Sequence, residues 1–283
     1  MSRLTFHVSG ESHGPAYVCI LEGMPRGVPV DLRALQEFMD LRRERGLRGS
    51  RAAVERDNVV FLAGVRNGFT TGGTVAFQIP NRDAAAVCRT PDGQETSLEF
   101  PRPGHADAAG ALKWGLSRAD EVAEQSSGRV TALYVALGAV CQGLLRQLGI
   151  EAMTHVLRIG AVVARRPRWG TRSLDFWWNR ALGTRMLTLD PDADERMVRY
   201  LESVRDRGDT AGGEFEVRLA PVPPGLGRIL PIGGRLDARL AGLVMGIPGI
   251  RMVALGDGAR AGSLTGHRFH DEFSDKAGGD GLL

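Results

Sequence analysis

V130-T-A-L-Y-V-A-L-G-A-V-C-Q-G-L-L-R-Q-L148 puts apolar side chains on most faces of a helix, so the helix has to be buried. Its most apolar part, Ala132 to Cys141, is too short to span a bilayer and is soon followed by Gln142 and Arg146. The layers that cover it must come from elsewhere in the chain. Leu4 to Val8, Tyr17 to Leu21, Val59 to Leu62 and Thr74 to Ile79 read as strands, the last two joined by the turn-rich R66-N-G-F-T-T-G-G73. E214-F-E-V-R-L-A220 alternates like a half-buried antiparallel strand. Asp31 caps a helix to about Glu44, carried by Leu32, Leu35, Phe38, Met39 and Leu41. Further helices run through Lys113 and Trp114, open at Asp190-Pro191, and open at R235-L-D-A-R-L240. Asn81 to Thr96 reads as a polar loop. No low-complexity linker or short repeat interrupts this order, which predicts one α+β domain over residues 1–283.

The bulk properties restrict the function classes. At 283 residues and 43% hydrophobic content the chain can bury a large core, and a net charge of +3 is too even for a dedicated nucleic-acid binder. Cys19, Cys88 and Cys141 are odd in number and widely spaced, which suggests neither a disulfide framework nor a thiolate metal site and fits a reducing cytoplasm. No charged and apolar leader opens the sequence, so the expectation is a protein that is neither exported nor held in a membrane. Lys113 and Lys276 are the only lysines among 36 cationic residues. Genomic base composition accounts for such a bias, and so does a need for planar guanidinium forks.

The placement of the arginines separates these accounts. Arg43, Arg48 and Arg51 in R42-R-E-R-G-L-R-G-S-R51, Arg102 in the PRPGHAD stretch from Pro101 to Asp107, and Arg129 in S126-S-G-R129 stand beside glycine, serine or proline rather than on regular helical faces. Each alone reads equally well as solvated surface charge. Clustered in turns, they suggest a site for a small polyanion, whose oxygens guanidiniums engage in pairs. His13 in V8-S-G-E-S-H-G-P15 and His105 in the PGHAD that closes the later stretch occupy glycine-bearing turns, where an imidazole can approach a ligand and move protons near neutral pH. Ser126, Ser127 and Gly128, just ahead of the long helix, can offer hydroxyls and helix-end N–H groups to an anion, although an ordinary serine cap explains them as simply.

These segments together resemble chorismate synthase. The likeness is carried by G10-E-S-H-G-P15 with E22-G-M-P25, R42-R…R51, T70-T-G72 leading to N81-R-D83, R102-P-G-H-A-D107, E124-Q-S-S-G-R-V-T131, G208-D-T-A-G-G213 and L236-D-A-R-L240, in that family's order and near its spacings, from about Ser2 to Phe273. The resemblance implies a β-α-β sandwich with large antiparallel sheets and central helices. It also implies a homotetramer, and a reduced-FMN-dependent lyase that converts 5-enolpyruvylshikimate 3-phosphate to chorismate by 1,4-anti elimination of phosphate. By the same likeness His13 lies by the leaving phosphate as proton donor, and His105 protonates the reduced flavin. Arg43, Arg48, Arg51, Arg102 and Arg129 hold the substrate, and Ser126, Ser127, Gly128, Pro248 and Gly249 contact FMN.

Several positions depart from the family pattern. S127-G-R-V-T131 stands for the usual Ser-Ala-Arg-Glu-Thr, Gln125 replaces a common arginine, and Pro248 replaces a small or amide residue. Beyond H270-D-E-F273 the family normally continues for several dozen residues, through an Arg-x-Asp-Pro motif, so the resemblance is to a C-terminally shortened member. An alternative reading is a catalytically impaired relative that binds phosphorylated ligand or a full-length member. An RNA-binding reading of the arginine-glycine loop is weak because no aromatic platform accompanies it.

Overall fold

A computed structural model describes residues 4–44, 57–82 and 100–270 of the chain. The first strands follow from period-two alternation. β1 (Thr5–Ser9) and β2 (Ala16–Glu22) form a hairpin with Val8 opposite Cys19. After α1 (Leu32–Glu44) come β3 (Val60–Ala63), the small hairpin β4 (Val65–Arg66) and β5 (Phe69–Thr70), and β6 (Val75–Pro80). The four longer strands make an antiparallel sheet in the order β1-β2-β6-β3. Asn67 and Gly68 both adopt positive φ at the tip of the small hairpin, the conformation that a two-residue turn between twisted strands requires.

One face of this sheet is dry. Tyr17, Cys19 and Leu21 of β2 and Val75, Phe77 and Ile79 of β6 alternate inward with their neighbours outward, and Cys19 pairs with Phe77 across the strands. They pack on Leu35 and Met39 of α1 and on Ala132, Leu133, Ala136, Leu137 and Val140. The last five belong to the opening helix, now α4 (Thr131–Gln147), which follows α2 (Asp107–Trp114), α3 (Asp120–Gln125) and a single 3-10 turn, Gly128–Val130. By length and composition Asp120–Gln147 passes as a membrane-crossing stretch, yet its buried residues complete this core. At Gly143 the helix comes so close to the preceding chain that a Cβ would sit 2.2 Å from the Pro29 carbonyl oxygen.

α4 also meets the next sheet, at β7 (Glu151–Ile159). β8 (Val162–Val163) and β9 (Gly213–Ala220) flank β7 antiparallel, in the order β8-β7-β9. α5 (Leu174–Leu182) and α6 (Pro191–Asp206) cover this sheet through two small cores, one around Met186, Met197 and Val198 and one around Met153, Leu174 and Leu189. The α+β architecture with antiparallel sheets and central helices is therefore as expected.

The caps repeat the sequence chemistry. Asp31 Oδ1 accepts the N–H groups of Arg33 and Ala34, each at 3.0 Å, and buried Asp190 accepts from Ala193 at the start of α6. The structure adds helices α3 and α5 to the predicted set. Ser173 caps α5 by accepting the Phe176 N–H. The long helix is buried less completely than its composition suggests: sheet and α1 cover one side, while Arg146 and Gln147 are exposed.

The chain divides into two compact units, Met1–Val222 and Pro223–Leu283. The second holds the 3-10 turns Ile232–Gly234 and Gly258–Ser263, α7 (Leu236–Met245) and the short α8 (Gly266–Phe269).

Candidate active site

The turn carrying His13 is held from three directions. Gly10, with φ of +141°, lets the chain leave β1 where any Cβ would lie 2.7 Å from Tyr17 Cδ1 and 2.9 Å from the Ala16 carbonyl oxygen. Asn81, buried at the end of β6, donates from Nδ2 to the carbonyls of Glu11 (3.1 Å) and Gly14 (2.8 Å), and its own N–H donates to Pro15 O at 3.0 Å. The third hold is Glu124 on α3. Its Oε1 lies 2.6 Å from His13 Nδ1, and its Oε2 accepts from the His13 backbone N–H and from the buried Ser12 hydroxyl, each at 2.7 Å. The Ser12 N–H meanwhile donates to the Glu124 carbonyl at 3.2 Å. Burial pushes the Glu124 carboxyl upward, but the hydrogen bonds from His13, Ser12 and the backbone outweigh it and hold the group below its ordinary value of 4.5.

Arg129 sits behind this turn. Only 7% exposed, it donates from Nε to Asn81 Oδ1 at 3.2 Å and pairs with buried Asp57. These partners fix the orientation of the Asn81 amide, whose oxygen faces a guanidinium and whose nitrogen faces two carbonyls. Asp57 also takes Arg42 Nη1 at 2.9 Å, and Arg42 Nη2 reaches Thr131 Oγ1 at 3.0 Å. One carboxylate thus ties α1 to the junction of α3 and α4.

The segment from Pro101 to Asp107 is organised by its own aspartate. Fully buried Asp107 at the start of α2 accepts Arg102 Nε at 2.7 Å, Nη2 at 2.9 Å and the Arg102 N–H at 3.0 Å. The Arg102 guanidinium brings the Asp107 carboxyl from 3.8 to about 2. Arg102 also feels the charge of Glu124, which places it in electrostatic reach of the His13 turn. His105 is exposed, and its Nδ1 donates to the Pro103 carbonyl at 3.0 Å, the only role open against a carbonyl.

Two residues beyond Glu124, Ser126 Oγ is buried and has no hydrogen-bond partner among the described residues. Ser127 accepts the Arg129 N–H at 3.3 Å, and a Cβ on Gly128 would meet nothing within 4 Å. An unmet hydroxyl beside open backbone fits a polar cofactor edge approaching this segment.

The remaining predicted residues stand elsewhere. Arg43 is half-buried on α1 and pairs with Asp40 at 3.3 Å and Glu44 at 2.8 Å. Arg48 and Arg51 lie outside the described residues. Pro248 and Gly249 form the exposed corner of an Ile247–Ile250 turn in the second unit, with Gly249 at φ of +91°. Sequence reasoning singled out His13, Arg102, Ser126 and Arg129, but not Glu124, Asn81 and Asp107, which lie in the same motifs. Asp57 belongs to none of those motifs.

Known proteins share this arrangement of motifs. The family model for chorismate synthase matches residues 4–281. The chorismate synthase of Streptomyces coelicolor is 40% identical over 285 residues, covering 96% of this chain and 72% of the relative. That of Desulforamulus reducens is 38% identical over 275 residues, covering 95% of this chain and 70% of the relative, so the chain is shorter than either. A crystal structure of chorismate synthase superposes with a TM-score of 0.81 at 30% identity, over 97% of this chain and 75% of that one. The chain belongs to the chorismate synthase family.

Proposed function

We propose that the chain is a chorismate synthase acting on 5-enolpyruvylshikimate 3-phosphate in the shikimate pathway, with His13 as the acid beside the departing phosphate. The observation that carries this reading is the Glu124–Ser12–His13 constellation. A histidine with Nδ1 committed to a half-buried carboxylate has Nε2 as its proton-transfer atom, on a turn too tightly held to move away. As the carbon–oxygen bond of the phosphate ester breaks, its electron pair leaves with phosphate, which takes the His13 Nε2 proton, while the ring C–H breaks to release a proton and leave its pair in the new double bond.

Binding falls to arginine. The substrate carries three acidic groups, and Arg102, held in a fixed plane by Asp107, is preset to take one of them bidentately. Arg43, in the last turn of α1, and Arg48 and Arg51 further along the sequence supply the other guanidiniums. Arg129 contributes through position and field, since its guanidinium already serves Asp57 and Asn81. Ser126, Ser127 and Gly128 are the residues of the first unit that would hold reduced FMN. When bound, the reduced flavin supplies electron density to the substrate while phosphate departs. His105, with its tautomer set by Pro103, would hold a proton toward that flavin. We place the enzyme in the cytoplasm as a homotetramer.

The test is an anaerobic incubation of folded protein with chemically reduced FMN and the enolpyruvyl phosphate substrate. Stoichiometric chorismate and phosphate are expected. Folded protein that gives neither overturns the reading, and substrate binding retained in that case supports a binding role without turnover.

A further inference from the structure

We propose that Glu124 is the positioning residue of the His13 acid: its carboxylate takes the ring's Nδ1–H and clamps the Ser12–His13 backbone, so that Nε2 alone handles the transferred proton. The assignment deepens the reading of His13 given above and rests on it. Nothing in the spacing of the motifs announces it, because 111 residues separate the partners.

Four contacts make the case. Both carboxylate oxygens are engaged on the same two residues: Oε1 with His13 Nδ1 at 2.6 Å, and Oε2 with the His13 N–H and the Ser12 Oγ at 2.7 Å each. The Ser12 N–H returns a bond to the Glu124 carbonyl at 3.2 Å. Ring, hydroxyl and backbone are therefore all referred to one carboxylate, itself on a helix whose Val122 packs against Gly110 of α2. A carboxylate accepts but never donates, so the ring must carry its proton at Nδ1 whenever it is neutral. In the acid form both nitrogens carry protons. The Nε2 proton goes to the phosphate oxygen as the ester bond breaks, and Nδ1–H stays on Glu124. Burial pushes this carboxyl up, but the hydrogen bonds from His13 and Ser12 outweigh it and hold the group below its ordinary value.

The substitution E124Q keeps the shape and inverts the chemistry. Its amide N–H₂, turned toward His13, donates where the carboxylate accepted, which drives the ring to the other tautomer. Glu124→Asp keeps the charge but withdraws it by one methylene. Long-range ¹H–¹⁵N spectra of histidine-labelled protein, with the His13 signals identified by their loss in His13→Gln, report the tautomer directly.

Nδ1 is expected to be protonated in the wild type and deprotonated in E124Q. In the turnover assay E124Q should lose roughly a hundredfold in kcat with KM changed less than about threefold, since a misset tautomer costs turnover rather than binding. Glu124→Asp should recover part of that loss. Identical His13 spectra in wild type and E124Q, or a loss confined to KM, would overturn the proposal. If the wild type makes no chorismate while the tautomer still switches in E124Q, Glu124 keeps its positioning role and the reading of the reaction fails instead.

Discussion

Asp57→Ala tests whether the site is held together by the carboxylate at its back. Asp57 is 4% exposed and is shared by Arg42 and Arg129, whose side chains are 14% and 6% exposed. Removing one member of a buried ion pair costs about 3–5 kcal/mol, because the charge left behind has lost its compensation without regaining water. Both arginines keep hydrogen bonds, Arg129 to Asn81 and Arg42 to Thr131, so the lower end applies, about 3 kcal/mol. For a chain of this size that corresponds to a fall in melting temperature of roughly 6–12 °C. Urea titration and thermal melts followed by circular dichroism read the change. A matched control is Arg199→Ala, which removes the exposed pair with Glu195 and should shift stability by less than about 0.5 kcal/mol. A loss below about 1 kcal/mol in Asp57→Ala would show that the pair behaves like a surface bridge and would refute the reasoning.

Gly10→Ala should destabilise the protein by about 1–3 kcal/mol, as a Cβ there meets Tyr17 and the Ala16 carbonyl and the backbone is left-handed. A melting curve superposable on the wild type would contradict it. Acid should unfold the protein in a defined window. Asp107, paired with Arg102, and Asp190, paired with Arg165, both have carboxyls lowered from 3.8 to about 2. Groups with depressed values stabilise the fold above their unfolded value and lose that contribution as pH falls through the folded one, so stability should decline between about pH 4 and pH 2. Asp107→Asn combined with Asp190→Asn should flatten that part of the stability–pH curve, and an unchanged slope would refute the assignment.

How much of this was legible in the sequence depends on the range of the interaction. Strands β2 and β6 were readable because each buries one face, and period-two alternation records that directly, whereas β1 and β3 bury little and were readable from their β-branched and aromatic residues. The Asp31 and Asp190 caps were readable because a side chain and the N–H groups it satisfies lie within three residues. α5 escaped because L174-D-F-W-W-N-R-A-L182 owes its helix to packing of Leu174 and the neighbouring tryptophans on β7 and β9, a tertiary cause. His13 and Arg102 were visible as chemistry in tight turns. Their partners were not equally visible: Asp107 is five residues from Arg102, but Glu124 is 111 residues from His13, and Asp57 is 72 from Arg129. Arg129 shows the limit most clearly. Its place in S126-S-G-R129 suggested a ligand-facing fork, whereas the fold turns it inward onto Asp57 and Asn81.

The most direct test of the central claim is phosphate release by His13→Ala beside the wild type, measured anaerobically with reduced FMN and substrate. The account predicts one phosphate per chorismate from the wild type and a rate at least roughly a hundredfold lower from His13→Ala, with the fold intact by circular dichroism. Equal rates from the two proteins would contradict it.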